Sequence, residues 1–76
     1  MGKLAIQKYR YGGLVVEVAK MVDLDENMRK FQCLVRGYGH NNPAPRKKYT
    51  VCAETNAKAS RIALQVYKME YDQEKH

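Results

Sequence analysis

The stretch Met28–Tyr38 sets Phe31, Cys33 and Val35 on one side of an extended chain and Lys30, Gln32 and Arg36 on the other. A period of two with one apolar side is the mark of a half-buried strand. A lone strand leaves its backbone donors and acceptors unpaired, so it needs partners elsewhere in the chain. Lys3–Tyr11 supplies one, with Ala5, Gln7, Tyr9 and Tyr11 on one face and Leu4 and Ile6 on the other. Gly12-Gly13 follows as a two-residue hairpin link, because primed turns need positive φ and glycine adopts it without a Cβ clash. Leu14–Leu24 continues the alternation through Leu14, Val16, Val18, Val22 and Leu24, broken by Lys20. The same stretch fits a helix through Leu14, Val18 and Met21/Val22. Three valines in five residues and the preceding glycines favour the strand.

Asp23–Asn27 is turn chemistry, rich in side chains that bond their own backbone. Gly37–Pro45 reads as a connection, since an Asn-Pro step disfavours helix. Tyr49, Val51 and Ala53 alternate with Thr50 and Cys52 in a fourth strand. Thr55 or Asn56 then caps a helix from Ala57 to about Asp72, with Ala59, Ile62, Ala63, Val66 and Met69 on one stripe and Lys58, Arg61, Gln65 and Lys68 away from it. The sum is an α+β fold: a small antiparallel β-meander of three to four strands, covered on one face by a C-terminal α-helix. Residues 1–76 make a single small domain, with an acidic tail from about residue 70 that opposes the helix dipole and frays. The other sheet face meets water or a partner.

A hydrophobic fraction of 45% and six tyrosines argue against disorder. Cys33 and Cys52 lie nineteen residues apart with no CxxC and no histidine at ligand spacing, which reads as two small buried or half-buried thiols in a reducing cytoplasm, ahead of a disulfide and further ahead of a metal site. No apolar run approaches the roughly eighteen residues needed to span a bilayer. The start Met-Gly-Lys-Leu-Ala-Ile lacks a signal-peptide h-region and has Ile6 where a myristoylation motif wants Ser or Thr. The expectation is a cytoplasmic protein that engages no membrane.

Charge is distributed unevenly. Arg29–Lys68 carries nine Lys or Arg against one acid, Glu54, in a chain whose total is +6. Such a surface attracts polyanions and steers their encounter. Arg46-Lys47-Lys48, between Pro45 and Tyr49, is the densest cluster and a candidate phosphate-contacting edge, although Tyr49 shares the parity of Val51 and Ala53 and belongs with the core. Lys8, Arg10, Lys30 and Arg36 are expected on neighbouring strands with Tyr9, Tyr11 and Tyr38 close by, a mixture of cations and rings suited to single-stranded nucleic acid. Gly37–Asn42 matches neither a Walker loop nor a dinucleotide fingerprint. Ser60 is the only serine and falls inside the helix, and His40 has no carboxylate partner nearby in sequence. Nothing assembles a catalytic constellation. The expectation is therefore a non-catalytic basic binding module without cofactor, contacting its partner through Arg46, Lys47, Lys48, Arg36, Lys30, Arg10, Tyr38 and Tyr11.

The run Ala53–Tyr67, with Ala53, Glu54, Thr55, Ala59, Ala63 and Tyr67 in matching steps, resembles the strand-to-helix junction of short phage-encoded inhibitors of bacterial RNA polymerase. That resemblance implies a host-takeover protein acting in the host cytoplasm, which binds and inhibits or redirects a host enzyme. Lys58–Ala63 also looks, more loosely, like the basic, Ala-rich helix of double-stranded-RNA-binding domains. The partner is then nucleic acid or an acidic host protein, with an exposed strand edge open to homodimer formation.

Overall fold

A computed structural model describes residues 5–74. Four strands, β1 (Ile6–Tyr11), β2 (Leu14–Asp23), β3 (Arg29–Gly37) and β4 (Lys47–Ala53), form one antiparallel sheet in sequence order, and helix α1 (Asn56–Glu74) lies across it. The meander of four strands with one covering helix is the α+β architecture the alternation implies. Residues 14–24, open between strand and helix, are strand through Asp23. The expected strand positions Lys3 and Leu4 lie outside the described residues.

The β1–β2 link has positive φ at Gly12 alone, +62°, the φ pattern of a II′ turn with glycine in first place. That turn fixes the register Tyr11↔Leu14 and Tyr9↔Val16, and β3 continues it as Val16↔Val35 and Val18↔Cys33. One face of the sheet thereby gathers Val16, Val18, Phe31, Cys33, Val35, Val51 and Ala53, all buried. The register slips between Lys20 and Val22, leaving Met21 as the extra residue of a bulge. A bulge reverses parity. Val22 therefore pairs with Lys30 and is exposed, as is Leu24, so neither continues the stripe of Leu14, Val16 and Val18.

Thr55 caps α1: its Oγ1 accepts from the Lys58 amide at 3.2 Å and its carbonyl accepts from Ala59 at 3.0 Å. The helix runs to Glu74, past the expected end near Asp72. Its buried side is Ala59, Ser60, Ala63, Leu64 and Tyr67. Ile62 is 39% and Met69 65% exposed, and Val66 is half-buried, so the stripe read from the aliphatic residues is rotated from the real one. Ala59, Ser60 and Ala63 are small enough to let the helix backbone settle onto the valines, and Leu64 and Tyr67 fill the space further along.

Tyrosines tie the layers together. Ser60 Oγ donates its one proton to the Ala57 carbonyl at 2.7 Å, so the Tyr11 hydroxyl is the donor in its 2.5 Å bond to Ser60 Oγ. This bond is what permits a serine in the core. Tyr49 on β4 donates to Glu70 Oε1 at 2.8 Å, and Tyr67 on the helix donates to the Pro45 carbonyl at 2.9 Å. Tyr67 and Tyr71 stack with ring centroids 5.9 Å apart.

Phe31, the sole phenylalanine and fully buried, should carry a large share of stability. Urea denaturation followed by circular dichroism is expected to show Phe31→Ala losing about 3–5 kcal/mol, through lost burial plus a cavity. Ile62→Ala is expected to stay within about 0.5 kcal/mol of wild type.

Candidate functional site

Alternation that turns the valines toward α1 turns their neighbours away from it. The register builds rows across the uncovered face: Ile6–Ala19–Gln32–Thr50, then Lys8–Glu17–Leu34–Lys48, then Arg10–Val15–Arg36. Lys30, paired with Cys52, extends the face toward the opposite end. Adjacent strands lie about 4.8 Å apart, so Lys8 and Lys48 stand about 14 Å from one another across the sheet. Glu17 is the one acid among the strand residues of this face, and it bonds Arg36, Nε to Oε2, at 2.9 Å. Among the described residues no carboxylate pairs with Lys8, Lys30, Arg46 or Lys48. Most of the positive charge of this face is therefore left uncompensated by the protein.

The Arg10 end is the most structured part. The Arg10 guanidinium lies over the Tyr38 ring, 4.0 Å from its centroid, and its Nε donates to the Gly12 carbonyl at 3.3 Å. Val15, on this outer face, is only 5% exposed and lines one hollow together with Lys8, Arg10, Arg36, Tyr38 and His40. A second hollow adjoins it, lined by Arg36, His40, Asn42 and Arg46. The connecting loop is held by Asn42. Its Nδ2 donates to the carbonyls of Gly13 at 3.0 Å and Tyr38 at 3.4 Å, and its Oδ1 accepts from the Ala44 amide at 2.9 Å. Residue 37 must be glycine for this, because a Cβ there would collide with the Asn42 side chain. The loop, read from sequence as a plain connection, is thus fastened to the β1–β2 hairpin and sets Tyr38 beside the basic residues.

The structure brings Arg10, Lys30, Arg36, Arg46, Lys48 and Tyr38 to one face and separates two of the expected site residues from it. Tyr11 points to the helix, where it bonds Ser60. Lys47 has the parity of Tyr49 and borders the helix side with Pro45, Tyr67 and Tyr71. Strand pleating puts Lys47 and Lys48 on opposite faces, and Arg46, just before β4, lines the hollow beside Arg36 and Asn42. Tyr9 is also on the helix side, its hydroxyl donating to Gln7 Oε1 at 2.6 Å. Five of the six tyrosines, Tyr9, Tyr11, Tyr49, Tyr67 and Tyr71, pack with the core, and Tyr38 alone stands on the open face, 50% exposed. An aliphatic strip runs inward from the β1 edge of that face: Ile6, 55% exposed, with Ala19 and Leu34, around a shallow hollow that Glu17, Gln32 and Lys48 also border. The sequence signal for this strip is parity alone: Leu34 alternates in step with Arg36, and Ala19 with Glu17.

Among the described residues no three His, Cys, Asp or Glu side chains converge as a metal site, and no helix is long and apolar enough to cross a membrane. Comparison with protein-family models, with curated proteins and with solved structures finds no match.

The two thiols report which face each strand presents. Cys33 is buried beneath α1, where desolvation pushes its thiol up to about 11, and Cys52 is exposed on the opposite face. Brief iodoacetamide treatment of the native protein near neutral pH, read by mass spectrometry, is expected to modify Cys52 alone. Cys33 should react only after denaturation. Equal native labelling would contradict the assigned faces.

Proposed function

We propose that this chain is a non-catalytic nucleic-acid-binding module that uses the sheet face left uncovered by α1. The observation that carries the reading is the placement of Lys8, Arg10, Lys30, Arg36, Arg46 and Lys48 on that face, with Glu17 as its one strand acid. A flat field of cations suits a ligand whose charge repeats along its length, and a phosphodiester backbone has that form. Lys and Arg lay their stems along apolar surface while keeping their heads in water, so charge on such a face carries no penalty of burial. Contacts of this kind position a strand and do not read its sequence.

A second reading has its own observation. Met21, Val22, Leu24 and Met28 are all exposed around the β2–β3 hairpin, at the end away from Tyr38. Such an apolar tip suits a protein partner. With the likeness of Ala53–Tyr67 to phage inhibitors of RNA polymerase, it supports binding to a host protein through apolar contact, since Asp23, Asp25 and Glu26 share this tip. The residues behind that likeness are the helix cap Thr55 and the buried Ala53, Ala59, Ala63 and Tyr67, positions that seat a helix on a sheet. They speak for the junction more than for the partner, which leaves nucleic acid as the preferred ligand.

Fluorescence anisotropy with labelled oligonucleotides across a salt series tests the proposal. Log affinity should fall linearly with log salt, by about 0.7 per phosphate neutralised on a single strand and about 0.9 on duplex DNA. Arg46→Glu with Lys48→Glu should weaken binding at least about tenfold at low salt and flatten the slope by about the share of two phosphates, with the circular dichroism spectrum unchanged. Unaltered affinity in that variant, or binding that needs Leu24 and Met21 instead, would favour the second reading.

A further inference from the structure

Resting on the nucleic-acid reading, we infer that the ligand is single-stranded and lies with its bases turned onto the sheet. The uncovered face is not uniformly basic. Ile6 and Ala19 in one row and Leu34 diagonally across on β3 make an apolar strip, with Lys8 and Lys48 on its flanks and Lys30 toward the far end. Gln32 borders it beside Ala19, and Glu17, between Lys8 and Leu34, is held by Arg36. A duplex offers a protein only its backbone and base-pair edges, since the base faces are stacked on one another. It could satisfy the lysines, but it would leave Ile6 and Leu34 against water or against phosphate. Unpaired bases match the strip: their faces are apolar and can lie on Leu34, Ala19 and Ile6, with phosphates reaching the lysines at the margins.

The Arg10 end supplies the ring that the strip lacks. Tyr38 is half-exposed and held in place by Asn42 bonds to its own carbonyl and to Gly13. Arg10 already lies over this ring, so a base arriving there meets the guanidinium or, once Arg10 swings toward a phosphate, the tyrosine itself. Gln32 and Thr50, side by side in the row that starts at Ile6, can each donate and accept, so they can meet any base edge. The face therefore discriminates strandedness and not sequence.

The strip and the cations make separable contributions, and that separation is the test. Wild-type protein, Ile6→Ser/Leu34→Ser and Tyr38→Ala are titrated by fluorescence anisotropy with oligothymidylate, oligouridylate and a mixed-sequence duplex of equal length, across a salt series. The wild type is expected to prefer the single strands to the duplex by about tenfold or more, the worth of one stacked base. Ile6→Ser/Leu34→Ser should lose about tenfold on single strands, keep its salt slope and bind the duplex as before. Tyr38→Ala lies outside the strip and guards against a folding artefact; it should show the same pattern at smaller size. Comparing the two single strands tells whether the site distinguishes RNA from DNA. Equal wild-type binding of duplex and single strands, or a preference that survives in both variants, would overturn the inference and leave nucleic-acid binding standing. Binding of neither form would overturn both.

Discussion

One helix can cover only one face of a four-stranded sheet, and that constraint organises the molecule. The covered face holds the buried core, with Phe31, Val16, Val18, Val35 and Tyr67 closed by a helix side built from Ala59, Ser60 and Ala63. Small residues at the contact allow close approach and leave little room for polar atoms without partners. The serine is tolerated because Tyr11 reaches it from β1, and the helix is fixed further along by Tyr49 and Tyr67. A domain this small has little stability to spare, and the hydroxyls of Tyr11, Tyr49 and Tyr67 help to hold the helix on the sheet.

The consequence appears on the other face. With no second layer, the outward side chains must live in water, yet a sheet surface with Val15, Ala19 and Leu34 on it is not hydrophilic by itself. Long basic side chains ease the conflict at one end, where Val15 lines a hollow with Lys8, Arg10 and Arg36 and is almost fully buried; Ile6, toward the other end, stays exposed. The arrangement that makes an open sheet tolerable in water also produces a field of cations over an apolar floor. Glu17 holds Arg36 in position and offsets only a small part of that charge.

Much of this was legible in the chain. The four strands, the Gly-Gly turn, the cap at Thr55 and the outward placement of Lys30, Arg36, Arg10 and Lys48 all follow from periods of two and from turn chemistry. The misplacements have distinct physical causes. The bulge at Met21 reversed the parity of Val22, and nothing in the local sequence marks where one extra residue is accommodated. Ile62 and Met69 read as core because aliphatic size was weighed above fit; the helix instead turned its small residues and Tyr67 inward, a choice set by the sheet beneath. Tyr11 and Tyr9 were assigned to the partner because an aromatic ring serves a ligand or a core equally well, and only their pairing with Leu14 and Val16 shows which. Lys47 was grouped with its neighbours by charge, where strand geometry separates it from them. The fastening of the loop by Asn42 depends on a contact across twenty-nine residues and has no local signature.

The central claim is that partner binding belongs to the face that α1 leaves open. Two-dimensional NMR of isotopically labelled protein, titrated with a short single-stranded oligonucleotide, tests it directly. The account predicts that shifts concentrate at Lys8, Arg10, Gln32, Leu34, Tyr38 and Lys48, while Cys33, Ser60 and Ala63 on the helix side stay in place. Shifts gathered instead along α1 or around Met21–Met28, with the outer rows of the sheet unmoved, would contradict it.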